Sequence, residues 1–193
     1  CFLDSSTLRE NVVALARNIG YVPRSRRSAR AKISFTVDGL VETSTITINA
    51  GLICNGAGSN TNYIFSIPED ITTPVVNGVA EFNNVEIYEG SFVSQTFTVD
   101  TSLFNQRYIL DNSFIDTSTI KVKVSPSASS STSVTYKQLD NIVGVTSMSA
   151  SYLLQEIEDE RYELIFGDNV IGKKLSNNNF INVSYIVTDG REG

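Results

Sequence analysis

After residue 32, apolar side chains recur at every second position, the pattern of a β-strand with one buried face. In the first such run, Ile33, Phe35 and Val37 alternate with polar residues. The same alternation returns at Ile46 and Ile48; at Val93, Phe97 and Val99; at Ile120, Val122 and Val124; at Tyr162, Leu164 and Phe166; and at Ile181, Val183, Tyr185 and Val187. These runs predict a mainly β fold built of antiparallel, sandwich-like units. Turns are expected between the strands at signals such as Asn55-Gly56 and Asn77-Gly78.

One short α-helix is expected near the N-terminus. Thr7 and Glu10 have the spacing of a capping box, in which each side chain bonds a free amide at a helix start. Gly20 is placed to end the helix in a left-handed conformation. The apolar face between these signals consists of Leu8, Val12, Leu15, Ala16 and Ile19. The pattern therefore predicts a helix over about Thr7 to Ile19.

Three segments follow from these patterns. Residues 1–32 form the helix and a basic connecting arm, and residues 33–125 form a first β unit. Residues 126–193 form a second β unit or a continuation of the same sandwich. The division rests on the small, polar stretch 125–133, which is either a boundary or a hairpin loop within one sandwich.

Charge is distributed unevenly along the 193 residues, whose net charge is −6. Seven cations and two acids give residues 1–32 a net charge of +5, and the remaining 8 cations and 19 acids sum to −11. We take Arg24, Arg26, Arg27 and Arg30 as a candidate protein interface. Acidic protein surfaces, including other copies of the chain, are the expected partners. A merely solvated basic turn is the alternative. Nucleic acid is disfavoured because the acidic remainder would repel phosphate and no aromatic residues alternate with the arginines.

Few residues are available for catalysis or metal binding. The chain has no histidine, which removes the usual proton shuttle and imidazole ligands, and its cysteines are Cys1 and Cys54 alone. The stretch from Gly167 to Lys174 has the G-x-x-x-x-G-K core of a phosphate loop. However, Lys174 stands where a magnesium-binding hydroxyl is needed, and a strand-like run follows. We expect no enzyme activity, no cofactor and no metal.

An acidic run is interpreted as a solvated turn, because its spacing matches no calcium loop. Its members are Glu156, Glu158, Asp159, Glu160 and Glu163. The chain has neither an initiator Met nor a signal-type leader at its first residue. We expect a fragment of a larger protein made in the cytoplasm, without membrane association.

Several stretches resemble the baseplate J-like family, in particular wedge proteins of T-even-like contractile-tailed phages. The first is LRENVVALARNIGYVPRSRRSARAKISF (8–35), and the last is RYELIFGDNVIGKKLSNNNFINVSYIVTDGREG (161–193). Between them, VEIYEGSFVSQTFTV (85–99) and FIDTSTIKVKV (114–124) are also similar to it. Asn169 departs from the family by replacing a second glycine of its loop. Since Asn tolerates the left-handed conformation well, we expect that turn to be kept.

The resemblance implies a structural part of the tail baseplate, assembled in the bacterial cytoplasm and retained in the virion. It would contact copies of itself and other wedge proteins, and transmit the signal for sheath contraction. None of the matching motifs carries a catalytic residue. The alternative is a receptor- or carbohydrate-binding β-sandwich of a phage fibre or adhesin, which a cluster of exposed aromatic residues would favour.

Overall fold

The computed structural model describes residues 25–41, 43–57, 62–140 and 144–188. The predicted helix over Thr7 to Ile19 and the candidate residue Arg24 lie outside these ranges. Within them the chain is mainly β, as the alternating pattern predicted, and its strands form two sheets, one of which contains a parallel strand pair. The helical element among the described residues is a single 3-10 turn at Glu158–Glu160.

Thirteen strands are described. They are β1 (Arg30–Val37), β2 (Thr45–Ile48), β3 (Gly51–Ala57), β4 (Asn62–Ile67), β5 (Ile71–Val76), β6 (Val79–Glu89), β7 (Ser91–Thr98), β8 (Tyr108–Leu110), β9 (Ile115–Ser125), β10 (Val134–Gln138), β11 (Ser151–Glu156), β12 (Tyr162–Phe166) and β13 (Phe180–Val187). One sheet has the order β2-β5-β6-β4-β3, with β1 also paired to β6. The other has the order β7-β13-β9-β10-β11-β12-β8.

One strand pair departs from the antiparallel expectation. β10 and β11 run parallel, with Lys137 opposite Ser151. A parallel pair cannot be closed by a tight hairpin, so the chain needs the long connection 139–150 between them. The polar stretch after β9, by contrast, joins two antiparallel neighbours, since Val124 lies opposite Val134. This pairing corresponds to the hairpin-loop alternative for that stretch.

The described residues form two compact units that interleave along the chain. Unit 1 comprises Gln95–Phe114 and Lys121–Val183, and unit 2 comprises Arg26–Ser94, Ile115–Ile120 and the C-terminal residues from Ser184. The sequence predicted consecutive segments instead. Interleaving arises because strands β7, β9 and β13 each supply residues to both units.

Unit 2 has a core centred on β6. Its buried members are Ile67, Ala80, Phe82, Val85 and Ile87. The ring of Phe35 on β1 stacks on that of Phe82, with centroids 5.0 Å apart. Strand β5 turns into β6 at Asn77 and Gly78, whose φ angles of 52° and 78° are those of a tight hairpin. The Asn-Gly signal at this position is therefore confirmed as a turn.

A second Asn-Gly pair does not form a turn. Asn55 and Gly56 lie inside β3, so the turn expected there is wrong. A side chain on Gly56 would meet the ring of Phe65 at 2.9 Å, so glycine here allows the ring to lie against the neighbouring strand.

Unit 1 is built around aromatic side chains. The ring of Phe166 contacts those of Tyr108, Tyr136 and Tyr152, with centroids 5.4 to 6.3 Å apart, and Phe97 meets Tyr108 edge-on. Such edge-to-face contacts add to the stabilisation from burial. They fix β8, β10, β11 and β12 relative to one another, and these strands carry the loops described next.

Candidate interaction surfaces

The basic segment expected to form an interface leads into β1. Of its candidate residues, Arg26 is half-buried, Arg27 is exposed, and Arg30 is the first residue of β1. Arg24 lies outside the described residues. The structure thus gives the three described arginines different surroundings within a few positions.

Arg30 is engaged within its own unit. Its Nη2 donates to Ser118 Oγ at 2.7 Å, and its guanidinium lies 5.0 Å from the ring centre of Tyr88. Tyr88 in turn donates its hydroxyl to Glu86 Oε2 at 2.7 Å. Burial raises the pKa of Tyr88 to about 12, and the hydrogen bond to Glu86 adds to the shift. Arg30 is therefore part of a local polar network, whereas Arg27 extends into solvent.

A second candidate surface, which sequence reasoning missed, lies on unit 1. We call it the loop cluster and define it as residues 100–106, 144–150 and 167–179. Thr101 N donates to Asn177 Oδ1 at 3.0 Å, which joins the first of these loops to the third. Gly172 N donates to the carbonyl of Thr146 at 3.1 Å, and Lys173 N to that of Ser149 at 2.8 Å, which joins the second to the third.

The loop cluster exposes apolar side chains on this hydrogen-bonded frame. Phe104 is 94% exposed, Val170 74% and Met148 73%. Leu103 and Ile171 are also exposed. Leu103 lines an open groove of about 500 Å³ that reaches Lys174 and Leu175. Scattered single apolar residues on a surface are ordinary, but several on adjoining loops indicate a contact site.

The Gly167–Lys174 loop is ordered by its own side chains. Asp168 Oδ1 accepts the N–H groups of Val170 and Ile171 at 2.9 and 3.0 Å, and Asn169 Oδ1 accepts that of Lys174 at 3.0 Å. The N–H groups of Ile171 and Val170 stabilise the carboxylate and lower the pKa of Asp168. Asn169 has a φ of 72°, which confirms that asparagine here adopts the left-handed conformation.

This loop leads into a strand, as its sequence indicated. Residues 175–179 connect it to β13, which begins at Phe180. Its backbone amides at Val170, Ile171 and Lys174 are used by the loop's own side chains. The loop therefore shares the sequence pattern of a phosphate loop but not its backbone arrangement, in which free amides bind the phosphate.

The acidic run does not behave as one solvated turn. Glu156 and Glu163 are buried, whereas Glu158 and Asp159 are exposed in the 3-10 turn. Both carboxylate oxygens of Glu163 accept from Arg107, whose Nε and Nη2 each lie 2.8 Å away. The expectation of a solvated turn is wrong for Glu156 and Glu163, because these residues belong to the paired strands β11 and β12 and are buried there. The described ranges contain no group of three acidic, Cys or His residues arranged to hold a metal.

Aromatic residues expected to face the core do so. Tyr162 and Tyr185 are buried, and Phe35, Phe97 and Phe166 are half-buried. In unit 1, Phe104 and Phe114 are exposed.

Across the described ranges, no helix is long and apolar enough to cross a membrane. No protein-family model matches the chain, and no curated protein matches it significantly.

Sequence reasoning found the basic segment from charge alone but could not find the loop cluster. The available signal was the pair of apolar dipeptides, Leu103-Phe104 and Val170-Ile171, in otherwise polar, turn-forming stretches. Loops that only contact solvent are usually polar, so apolar pairs in such loops indicate a contact surface.

Proposed function

We propose that this chain is a structural component of a phage tail baseplate wedge that holds neighbouring proteins through the loop cluster of unit 1. Its partners are other wedge proteins and copies of itself, and its location is the virion. Transmission of the contraction signal is part of the proposal, as is a sandwich-like arrangement of the β units. The sequence resemblance supports the baseplate, and the exposed apolar residues of the loop cluster support the contact.

The exposure of Phe104, Val170 and Met148 is the observation that carries the contact. Covering a large apolar side chain releases about 1.5 to 3 kcal/mol relative to leaving it in water. Leaving several exposed on adjoining loops is a cost that a protein partner removes on binding.

The frame beneath these side chains favours a protein neighbour as well. Hydrogen bonds from Thr101, Gly172 and Lys173 tie the three loops together before any partner binds. A preorganised surface loses less conformational entropy on association, so more of the contact energy appears as affinity. The open groove offers an extended area instead of an enclosed pocket for a small molecule.

Assembly of wedges from purified components tests this function. We would replace Phe104 and Val170 together by Asp, which places two charges on the loop cluster without touching a core residue. Since both side chains are exposed, the circular dichroism spectrum and Tm should stay at wild-type values, whereas the incorporated fraction should fall at least tenfold.

The matched control is Val41→Asp, because Val41 is an apolar residue of unit 2 that is 80% exposed. It should incorporate as well as wild type. Equal incorporation by the double variant and by Val41→Asp would contradict the proposal. Glycan binding by wild type that Phe104→Ala abolishes would replace it with the receptor-binding alternative.

A further inference from the structure

The basic segment before β1 is attached to the start of β9 by a buried carboxylate. Asp116 is fully buried, and its Oδ2 accepts the backbone N–H of Ser28 at 2.9 Å. Its Oδ1 accepts both the N–H and the hydroxyl of Ser118, at 3.1 and 2.6 Å. A buried carboxylate needs such donors, because its desolvation is otherwise costly.

Two more contacts secure the same segment. The carbonyl of Ala29 accepts the N–H of Glu89 at 2.8 Å, at the end of β6. Ser118 Oγ, which donates to Asp116, also accepts from Arg30. Hydrogen bonds therefore run from Arg30 through Ser118 to Asp116 and from Ser28 to Asp116, and all these residues belong to unit 2.

Arg27 is adjacent to the anchored Ser28. Its side chain is exposed, whereas that of Ser28 is only 6% exposed. Fixing the backbone at Ser28 thereby limits the region that the Arg27 guanidinium can occupy. The neighbouring cation Arg30 contacts Ser118 and Tyr88, so it stabilises the basic segment itself.

We propose that Asp116 is a positioning residue, which holds the backbone at Ser28 so that Arg27 is presented to a carboxylate-bearing surface of a protein partner. This inference rests on the proposed function and names a second contact of the same assembly module. An acidic protein is favoured over nucleic acid because no aromatic residue that could stack on a base lies among the arginines of residues 24–30, and the +5 charge of residues 1–32 complements a carboxylate-bearing surface.

The experiment uses a ten-residue glutamate peptide as probe, with fluorescence anisotropy as the readout of affinity. Arg27→Gln should weaken binding about two- to fivefold, the range of one exposed charge pair. Asp116→Ala should weaken it by a similar factor and accelerate hydrogen exchange at the Ser28 amide at least tenfold. Lys123→Gln is the matched control, because it removes an exposed cation of β9 in unit 1.

Two further variants separate positioning from general destabilisation. Asp116→Asn keeps one carbonyl oxygen to accept from Ser118 but loses the acceptor for the Ser28 amide. This variant should stay folded, while its Ser28 amide exchanges faster and its affinity for the peptide falls. Ser118→Ala keeps the bond from Ser28 to Asp116, so its affinity should remain within a factor of about two of wild type.

Several results would overturn the inference. If Asp116→Asn frees the Ser28 amide without changing affinity, Asp116 has no positioning role. If Arg27→Gln binds the peptide as wild type does, or if wild type binds duplex DNA but not the peptide, the acidic protein partner is wrong. None of these results bears on incorporation through the loop cluster, which the Phe104 and Val170 variant tests separately.

Discussion

Gly90 illustrates how a single residue can be required by its surroundings. It follows β6 with a φ of 128°, and its carbonyl accepts the Ser66 hydroxyl at 2.9 Å. A Cβ there would overlap the carbonyl oxygen of Val187 and come within 2.7 Å of Ile186 Cγ2. Both the backbone conformation and the lack of space therefore demand glycine.

Replacing this glycine should cost more than its backbone conformation alone explains. Gly90→Ala should lower the free energy of unfolding by at least about 3 kcal/mol, because strain adds to a steric clash. Gly51→Ala is the control, since Gly51 has a similar φ of 134° but open space around its Cβ position, and it should cost about 1 to 2 kcal/mol. Equal costs in urea unfolding would show that the clash near Val187 is relieved without penalty.

Acid should loosen the loop that carries Val170 and Ile171. The folded loop lowers the pKa of Asp168, so the ionised carboxylate stabilises it above the ordinary Asp value of about 3.9. That contribution is lost as pH falls through the lowered pKa. Hydrogen exchange at the Val170 and Ile171 amides, corrected for intrinsic rates, should therefore accelerate below about pH 4. Asp168→Asn should show no such acid dependence, and an identical pH response in both proteins would contradict this account.

At the scale of elements, β6 organises unit 2. Its inward residues are Ala80 and Phe82 on one side of Asn84 and Val85 and Ile87 on the other. The period of two is broken between them because Asn84 has a φ of 55° and the register with β1 shifts there. An irregularity of this kind keeps both halves of the strand facing the core.

A core substitution on β6 should be far more damaging than a surface one. Phe82→Ala should lower the free energy of unfolding by about 3 to 5 kcal/mol, because the ring is 2% exposed and stacks on Phe35. Phe114→Ala removes the same side chain at a position 40% exposed and should cost about 1 kcal/mol or less. Chemical denaturation measures the loss of unfolding free energy in each variant. Similar losses in the two would show that Phe82 is not a core residue.

Local sequence signals decide which strands could be predicted. In β1, β12 and β13 apolar residues stand at every second position of the sequence, and this pattern identified the strands. β6 has the break at Asn84, β5 contains Pro74, and β3 contains Asn55 and Gly56, so local signals there contradict the strand. In these cases pairing with neighbouring strands overrides local preference.

For the whole molecule, charge and tertiary structure indicate different candidate surfaces. The net charge of +5 on residues 1–32, against −11 on the remainder, is visible in the sequence and predicted the basic segment as a candidate interface. The different surroundings of Arg27 and Arg30 depend on Ser118, a residue distant in the sequence, which accepts a hydrogen bond from Arg30. The loop cluster likewise exists only because three separate loops meet, so neither composition nor periodicity could indicate it.

Oxidative footprinting of Met148 tests the central claim, that the loop cluster is covered in an assembly, most directly. Met148 is the single methionine of the chain and is 73% exposed, so its conversion to the sulfoxide reports on this surface alone. Mass spectrometry would compare its oxidation rate in the isolated chain and in assembled wedges that contain it. We expect at least a fivefold slower rate in the assembly, and an unchanged rate would contradict the claim.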